Sequence, residues 1–184
     1  GASGVIGATY VARAVPDGYT YLNATTSFTV TPAFDKKLPY NVVKDFTGVS
    51  LMLSNSILLV GSTSFPPNNL AEYTAYAKAN PGKILWADGG TAAMNYLSGV
   101  LMHRLIGADA TFVHYKAGGS AIFPDLLAGR VSVYPASTQN AMTLIKSGKV
   151  KPIVMMSLRR DSQFPDVRTA HEQGLTNFEQ PNYA

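Results

Sequence analysis

The sequence predicts an α/β fold with a mostly parallel sheet. Short apolar strand segments alternate with helical periodicity at βαβ spacing. Two strand-to-helix junctions carry a Gly pair, Asp88-Gly89-Gly90-Thr91 and Lys116-Ala117-Gly118-Gly119-Ser120. One run, Ile153-Val154-Met155-Met156, is apolar enough for a central strand covered on both faces.

Taken in order, Gly1 to Gly7 reads as a glycine-rich loop. A helix follows with Ile6, Tyr10, Val11 and Ala14 on one face, and Pro16-Asp17-Gly18 turns the chain. Tyr19–Ala24 has strand composition, and the hydroxyls of Thr25-Thr26-Ser27 stand at its end. They can cap a helix that brings Phe28, Val30 and Phe34 inward. Val49–Met52 with Ile57–Val60 reads as one or two strands interrupted by Ser54-Asn55-Ser56. Ser62–Asn69, with Pro66-Pro67, is loop, and a domain boundary is expected between Val60 and Leu70. Leu70–Ala79 is a helix capped by Asn68 or Asn69 and closed by Asn80-Pro81-Gly82.

Next come a strand at Ile84–Ala87, a helix at about Ala92–Ile106, a strand at Thr111–Tyr115 and a helix at about Ala121–Ala128. Val131–Tyr134 alternates like a strand, Gln139–Lys146 is helical with Gly148 beyond its end, and Pro152–Ser157 is the apolar strand. Thr169 and Glu172 form a capping box before Gly174.

Composition narrows the function. The chain has 184 residues, 46% hydrophobic and only 14% charged, so it buries a substantial core. The net charge of +4 is scattered rather than clustered, which argues against nucleic acid and suits a small anion. With no Cys there is no disulfide, thiol nucleophile or Cys-zinc site. His103, His114 and His171 stand apart and match no metal pattern, so neither metal nor cofactor is expected. No signal peptide and no apolar run of transmembrane length is present. The Gly1, Gly4 and Gly7 spacing follows no strand and is not the order of a dinucleotide loop.

Recognition remains. Main-chain N–H groups at the helix starts after Gly90 and Gly119 suit a carboxylate. The hydroxyls of Thr25, Thr26, Ser27, Thr91 and Ser137 supplement them, with Tyr115 and Trp86 as walls. Competing with this are Trp86 as a buried strand residue, Lys116 as a solvated charge and His114 as a core histidine. No nucleophile elbow surrounds Ser120. A hydrolase using Ser120 and His114 is the alternative class. It requires a carboxylate within reach of His114, and nothing in the sequence places the candidate, Asp125, there.

Ordered blocks across the whole chain carry a resemblance. They are Thr26, Pro32-Ala33, Lys37-Leu38-Pro39-Tyr40, Lys44-Asp45-Phe46, Ala79-Asn80-Pro81-Gly82-Lys83, His114-Tyr115-Lys116-Ala117-Gly118 and Asp125-Leu126-Leu127-Ala128-Gly129-Arg130-Val131. Ile145-Lys146-Ser147-Gly148-Lys149, Phe164-Pro165-Asp166-Val167 and Glu172-Gln173-Gly174-Leu175 follow. Together they resemble the extracytoplasmic solute receptors of tripartite tricarboxylate transporters, the Bug proteins. The resemblance implies a periplasmic-binding-protein-like architecture of two α/β domains, one of them incomplete: residues 1–60 as a partial first domain and 61–184 as the second.

It further implies a periplasmic, non-enzymatic protein, exported by a signal peptide absent from this chain. Such a protein binds a small organic carboxylate in a cleft and delivers it to membrane subunits. Carried over, the first-domain cleft loop is Thr25-Thr26-Ser27. The second-domain carboxylate loops are Asp88-Gly89-Gly90-Thr91 and Lys116 to Ser120, including Gly118 and Gly119, and the solute-facing strand end is Pro135-Ala136-Ser137. Asp88 stands in a turn that is usually small or neutral, which puts a carboxylate near the expected anion. Ala136 replaces a common Asp and argues against reading an amino group there. The abrupt ends predict missing segments, an exposed edge open to homo-oligomer formation, or a fragment that associates without binding solute.

Overall fold

The computed structural model describes residues 4–116 and 118–180. Its centre is a five-stranded sheet in the order β3-β2-β4-β1-β5. The strands are β1 (Ile57–Ser62), β2 (Leu85–Asp88), β3 (Thr111–His114), β4 (Val133–Ser137) and β5 (Val150–Met155). β2 pairs in parallel with β3 and β4, whereas β1 runs antiparallel between β4 and β5. The sheet is therefore mixed, not the mostly parallel one expected. β1 is the reversed strand, so both of its neighbours pair with it antiparallel.

Side-chain alternation along these strands feeds two cores. Ile57, Leu59, Trp86 and Val133 pack on one face with α3 (Leu70–Ala79) and α4 (Met94–Ile106). Leu58, Val60, Ala87 and Ala136 face the other way, onto α5 (Gly119–Leu127) and α6 (Thr138–Lys146). All residues of β1 are buried, as suits a strand covered on both sides. β1 also runs across residue 60, where the sequence suggested a division, and pairs along its whole length in this sheet.

Ile153 to Met156 are buried, but β5 is an outer strand of the sheet, not the central one that its composition suggested. Its free edge is covered: Met155 N–H donates to Arg168 O, Ala170 N–H donates to Met155 O, and Met155 bridges Thr169 in parallel. Thr169 N–H donates to Glu172 Oε2 (2.8 Å) and Glu172 N–H to Thr169 Oγ1 (3.0 Å), so the expected capping box forms, on a 3₁₀ turn. Asn69 caps α3 by accepting from Glu72 N–H at 2.9 Å.

Residues 4–56 hold α1 (Val5–Ala12) and α2 (Thr26–Phe34) and contribute no strand to the sheet. Tyr19–Ala24 and Val49–Met52, read as strands, join no ladder among the described residues. Strand composition makes a strand only where a partner backbone lies alongside. Ile6 and Tyr10 are exposed rather than inward, as is Phe34. Phe28, Tyr40 and Phe46 form a small aromatic cluster, with centroids 5.0–6.0 Å apart, that holds α2 to the following loop. α2 in turn packs against α4.

A buried polar pair lies behind Trp86. His103 Nδ1 is 2.7 Å from Gly99 O, and since that carbonyl only accepts, Nδ1 carries the proton. Nε2 then accepts from the Tyr73 hydroxyl at 2.9 Å. Burial pushes the His103 pKa below its usual 6.5, against smaller opposing effects of the Gly99 carbonyl and Asp109. The unfolded chain therefore binds this proton more readily than the folded one. Stability is full above about pH 6.5 and falls as pH drops through the lowered folded value. The urea midpoint is expected to fall between pH 7.5 and pH 5, and less so in His103→Gln. Glu172 does not confound that window: Arg160 holds its pKa down at about 2, and its contribution is lost only below the usual carboxylate value.

Candidate functional site

β2, β3 and β4 run in the same direction, so Asp88, His114 and Ser137 finish on one edge of the sheet. Strand ends of this kind are where open α/β sheets bind ligands. The register sets Asp88 directly opposite His114. Asp88 is fully buried, and its Oδ1 accepts from His114 Nδ1 at 2.6 Å and from Gly90 N–H at 2.7 Å. Its Oδ2 receives no hydrogen bond from the described residues.

The loop after β2 is largely engaged by its own side chains. Gly89 N–H donates to Asn95 Oδ1 (3.2 Å) and Gly90 N–H to Asp88. Gly90 adopts φ 106°, open to glycine. α4 starts only at Met94, with Ala93 as its N-cap, so the Gly pair lies ahead of the helix start rather than at it. Thr91 is exposed in the intervening turn. The expected amide cradle at this first junction is thus occupied by the chain itself.

The second junction keeps the expected form. Gly118, at φ 62° and ψ −146°, is the N-cap of α5 and lies in a region that side chains exclude. Gly119 opens the helix, and a Cβ there would sit 3.3 Å from the Tyr134 hydroxyl. That hydroxyl lies on β4, and burial raises its pKa. Lys116 is exposed in the turn before. Tyr115 N–H donates to Asp88 O at 2.8 Å, tying the two loops together. The Tyr115 hydroxyl points elsewhere and donates to Asp125 Oδ2 at 2.6 Å. Burial and that carboxylate push its pKa up to about 12. Ser137 caps α6 by accepting from Asn140 N–H at 3.3 Å.

Thr25, Thr26 and Ser27 open α2, with Thr25 as N-cap but without a side-chain cap bond. Thr26 is buried and Thr25 exposed. Among the described residues, no hydrogen bond joins these three to the sheet edge. Trp86 is a core residue rather than a cleft wall: it is fully buried, and its Nε1–H donates to Asn95 O at 2.9 Å. Asp125 bonds Tyr115 and Arg130, not His114, so the carboxylate that meets His114 is Asp88. An open concavity of about 640 Å³ near α2, lined in part by Pro32, Lys36 and Tyr40, contains none of these residues.

Sequence reasoning passes over Asn95, and weighs His114 as a core histidine or as part of a hydrolase rather than as a ligand-binding residue; its side chain is 44% exposed, so His114 is not a core histidine. Counting both strands to their ends sets Asp88 opposite it, the one signal available beforehand.

A sequence model described as the tripartite tricarboxylate transporter family receptor matches residues 1–184. An Agrobacterium vitis protein encoded in the TAR-I ttuE–ttuC' intergenic region is 34% identical over 179 residues, 97% of this chain and 51% of its own length. The solved structure of the periplasmic binding protein BugD superposes with TM-score 0.87 at 34% identity, over 100% of this chain and 61% of BugD. MatC from Rhodopseudomonas palustris, solved with bound malate, gives 0.84 at 34% identity over 100% and 62%. Rpa4515 from R. palustris, solved with adipate, gives 0.90 at 26% identity over 100% and 61%. The chain spans about half the length of the curated relatives it matches and about three fifths of the solved chains. The fold is periplasmic-binding-protein-like, and the relatives are binding and receptor proteins rather than enzymes. With the match running from the first residue to the last, the chain belongs to the receptor family of the tripartite tricarboxylate transporters.

Proposed function

We propose that this chain is part of a periplasmic receptor that binds a small organic carboxylate and hands it to the membrane subunits of a tripartite tricarboxylate transporter. The carboxylate is held at the C-terminal ends of β2, β3 and β4. The observation that carries this reading is the start of α5: a Gly118 N-cap aimed from the same sheet edge as Asp88, His114 and Ser137. Its support from relatives is that MatC and Rpa4515 were solved with malate and adipate.

Thr25 to Ser27 supply the facing loop, and Lys116 adds charge at the rim. We place the division between the two domains ahead of Ile57, a reading supported by the pairing of β1 with β4 and β5 from Ile57 to Ser62.

Thermal denaturation against malate, adipate, citrate and an aromatic carboxylate tests the reading. A ligand that binds only the native state raises the melting midpoint in proportion to the logarithm of its concentration. We expect a rise of several degrees with at least one dicarboxylate. Midpoints unmoved by every ligand would mean that the chain associates or folds without holding solute. The exposed Ile6, Tyr10 and Phe34 would then direct attention to self-association.

A further inference from the structure

We infer that His114, held by Asp88, is the side chain that presents positive charge to the solute carboxylate. This rests on the receptor reading above, and it accounts for a carboxylate at the heart of an anion site.

Asp88 is wholly buried, accepts two hydrogen bonds on Oδ1 and none from the described residues on Oδ2. A buried carboxylate with one oxygen unpaired is costly in its charged form unless a cation stands against it. Among the described residues, the cation-forming group in contact with it is His114, at 2.6 Å, within the range of charge-assisted bonds. The bond at Nδ1 fixes the ring so that Nε2 lies on its far side.

Nε2 has no hydrogen-bond partner among the described residues, and the His114 side chain is 44% exposed whereas Asp88 is closed off. The arrangement carries charge from a buried anion to an exposed donor at the end of β3, four residues before the Gly118 start of α5. The groups facing the ring are Asp88 from β2 and Tyr96 from α4, whose ring meets it edge-on at 5.4 Å. The Tyr115 hydroxyl is turned to Asp125, and Lys116 stands exposed in the following turn. A doubly protonated ring donates Nε2–H to a carboxylate, while a neutral ring with its proton on Nδ1 offers only a lone pair. The negative charge of Asp88 is spent on the ring and does not oppose the solute directly.

Calorimetric titration of the chain with malate and with adipate, at pH 6 and pH 8, tests this. Binding is expected to be tighter at pH 6, to fall roughly 10- to 100-fold in His114→Gln at that pH, and to lose most of its pH dependence in that variant. Asp88→Asn is the discriminating variant. It weakens binding if Asp88 acts through His114, and tightens binding if Asp88 repels the solute. Tighter binding by Asp88→Asn, or His114→Gln binding like the parent, overturns the inference and leaves the receptor reading intact. A parent chain that binds neither acid at either pH overturns both. Should either variant fail to fold, the parent chain still decides. With its 3 histidines ¹⁵N-labelled, saturation with the bound acid must move the His114 ring resonances, and resonances that stay in place overturn the inference.

Discussion

Gly99→Ala is expected to destabilise the fold by about 2 kcal/mol, although alanine is the better helix former by about 1 kcal/mol. Gly99 lies buried inside α4 and faces Trp86 of β2. A Cβ there would meet Trp86 Cε2 at 2.5 Å, Trp86 Nε1 at 2.6 Å and Phe112 Cε1 at 2.8 Å. Such distances force something to move, and these atoms belong to rigid rings. The indole is further held by its bond to Asn95 O and by His103, whose ring stands edge-on at 5.3 Å. An overpacked core of this kind costs about 3 kcal/mol, which exceeds the helix gain. Urea unfolding measures the difference, and an unchanged or higher midpoint would show that the ring stack yields cheaply.

Trp86→Ala is expected to cost more, about 3–5 kcal/mol, or roughly 10 °C in melting midpoint. The side chain is fully buried in the cluster formed with Tyr73, Met102, Ile106 and Val133, and its loss leaves a cavity between the sheet and α4. The lost bond to Asn95 O adds little, since that carbonyl also accepts from Ser98 Oγ at 3.2 Å. The two substitutions are coupled through contact, so their effects do not add. In the Trp86→Ala background, Gly99→Ala should become neutral or stabilising by up to about 1 kcal/mol, because the clash is gone and only helix propensity remains. Failure of that reversal would place the cost of Gly99→Ala elsewhere, and the double-mutant cycle reads this directly. α4 also holds the turn after β2, through the bond from Gly89 N–H to Asn95 Oδ1.

The fold was legible where the determining interactions are local. Asn69 with Glu72, Thr169 with Glu172 and the left-handed Gly107 and Gly148 mark their element ends within a few residues, and those ends fall close to where the sequence put them. Two strand expectations failed at Tyr19–Ala24 and Val49–Met52 because composition says nothing about whether a partner backbone is present. The apolar run in β5 was read as central, yet it lies on the outside of the ladder and is buried by the segment around Thr169. Burial and position in the ladder are separate properties, and composition reports only the first.

At the site, the glycine turns and the strand ends were readable in advance, and so was the family through its ordered motifs. The fate of the polar groups was not. Gly89 and Gly90 looked like an open anion cradle, but Asn95 and Asp88 fill it. Asp88 looked like a charge set against the solute, but it is closed off beneath His114.

By itself, the sequence determined where most helices lie, the caps at Asn69 and Thr169, the glycine turns and the receptor family, because each of these is written in residues close together or in ordered blocks. Only the tertiary structure decided that β1 enters the sheet reversed, that Trp86 is core rather than wall, and that Asp88 meets His114. Those outcomes depend on which strands pair and in what register. Asp88 and His114 lie 26 residues apart, and one residue of slip between β2 and β3 would have turned them to opposite faces.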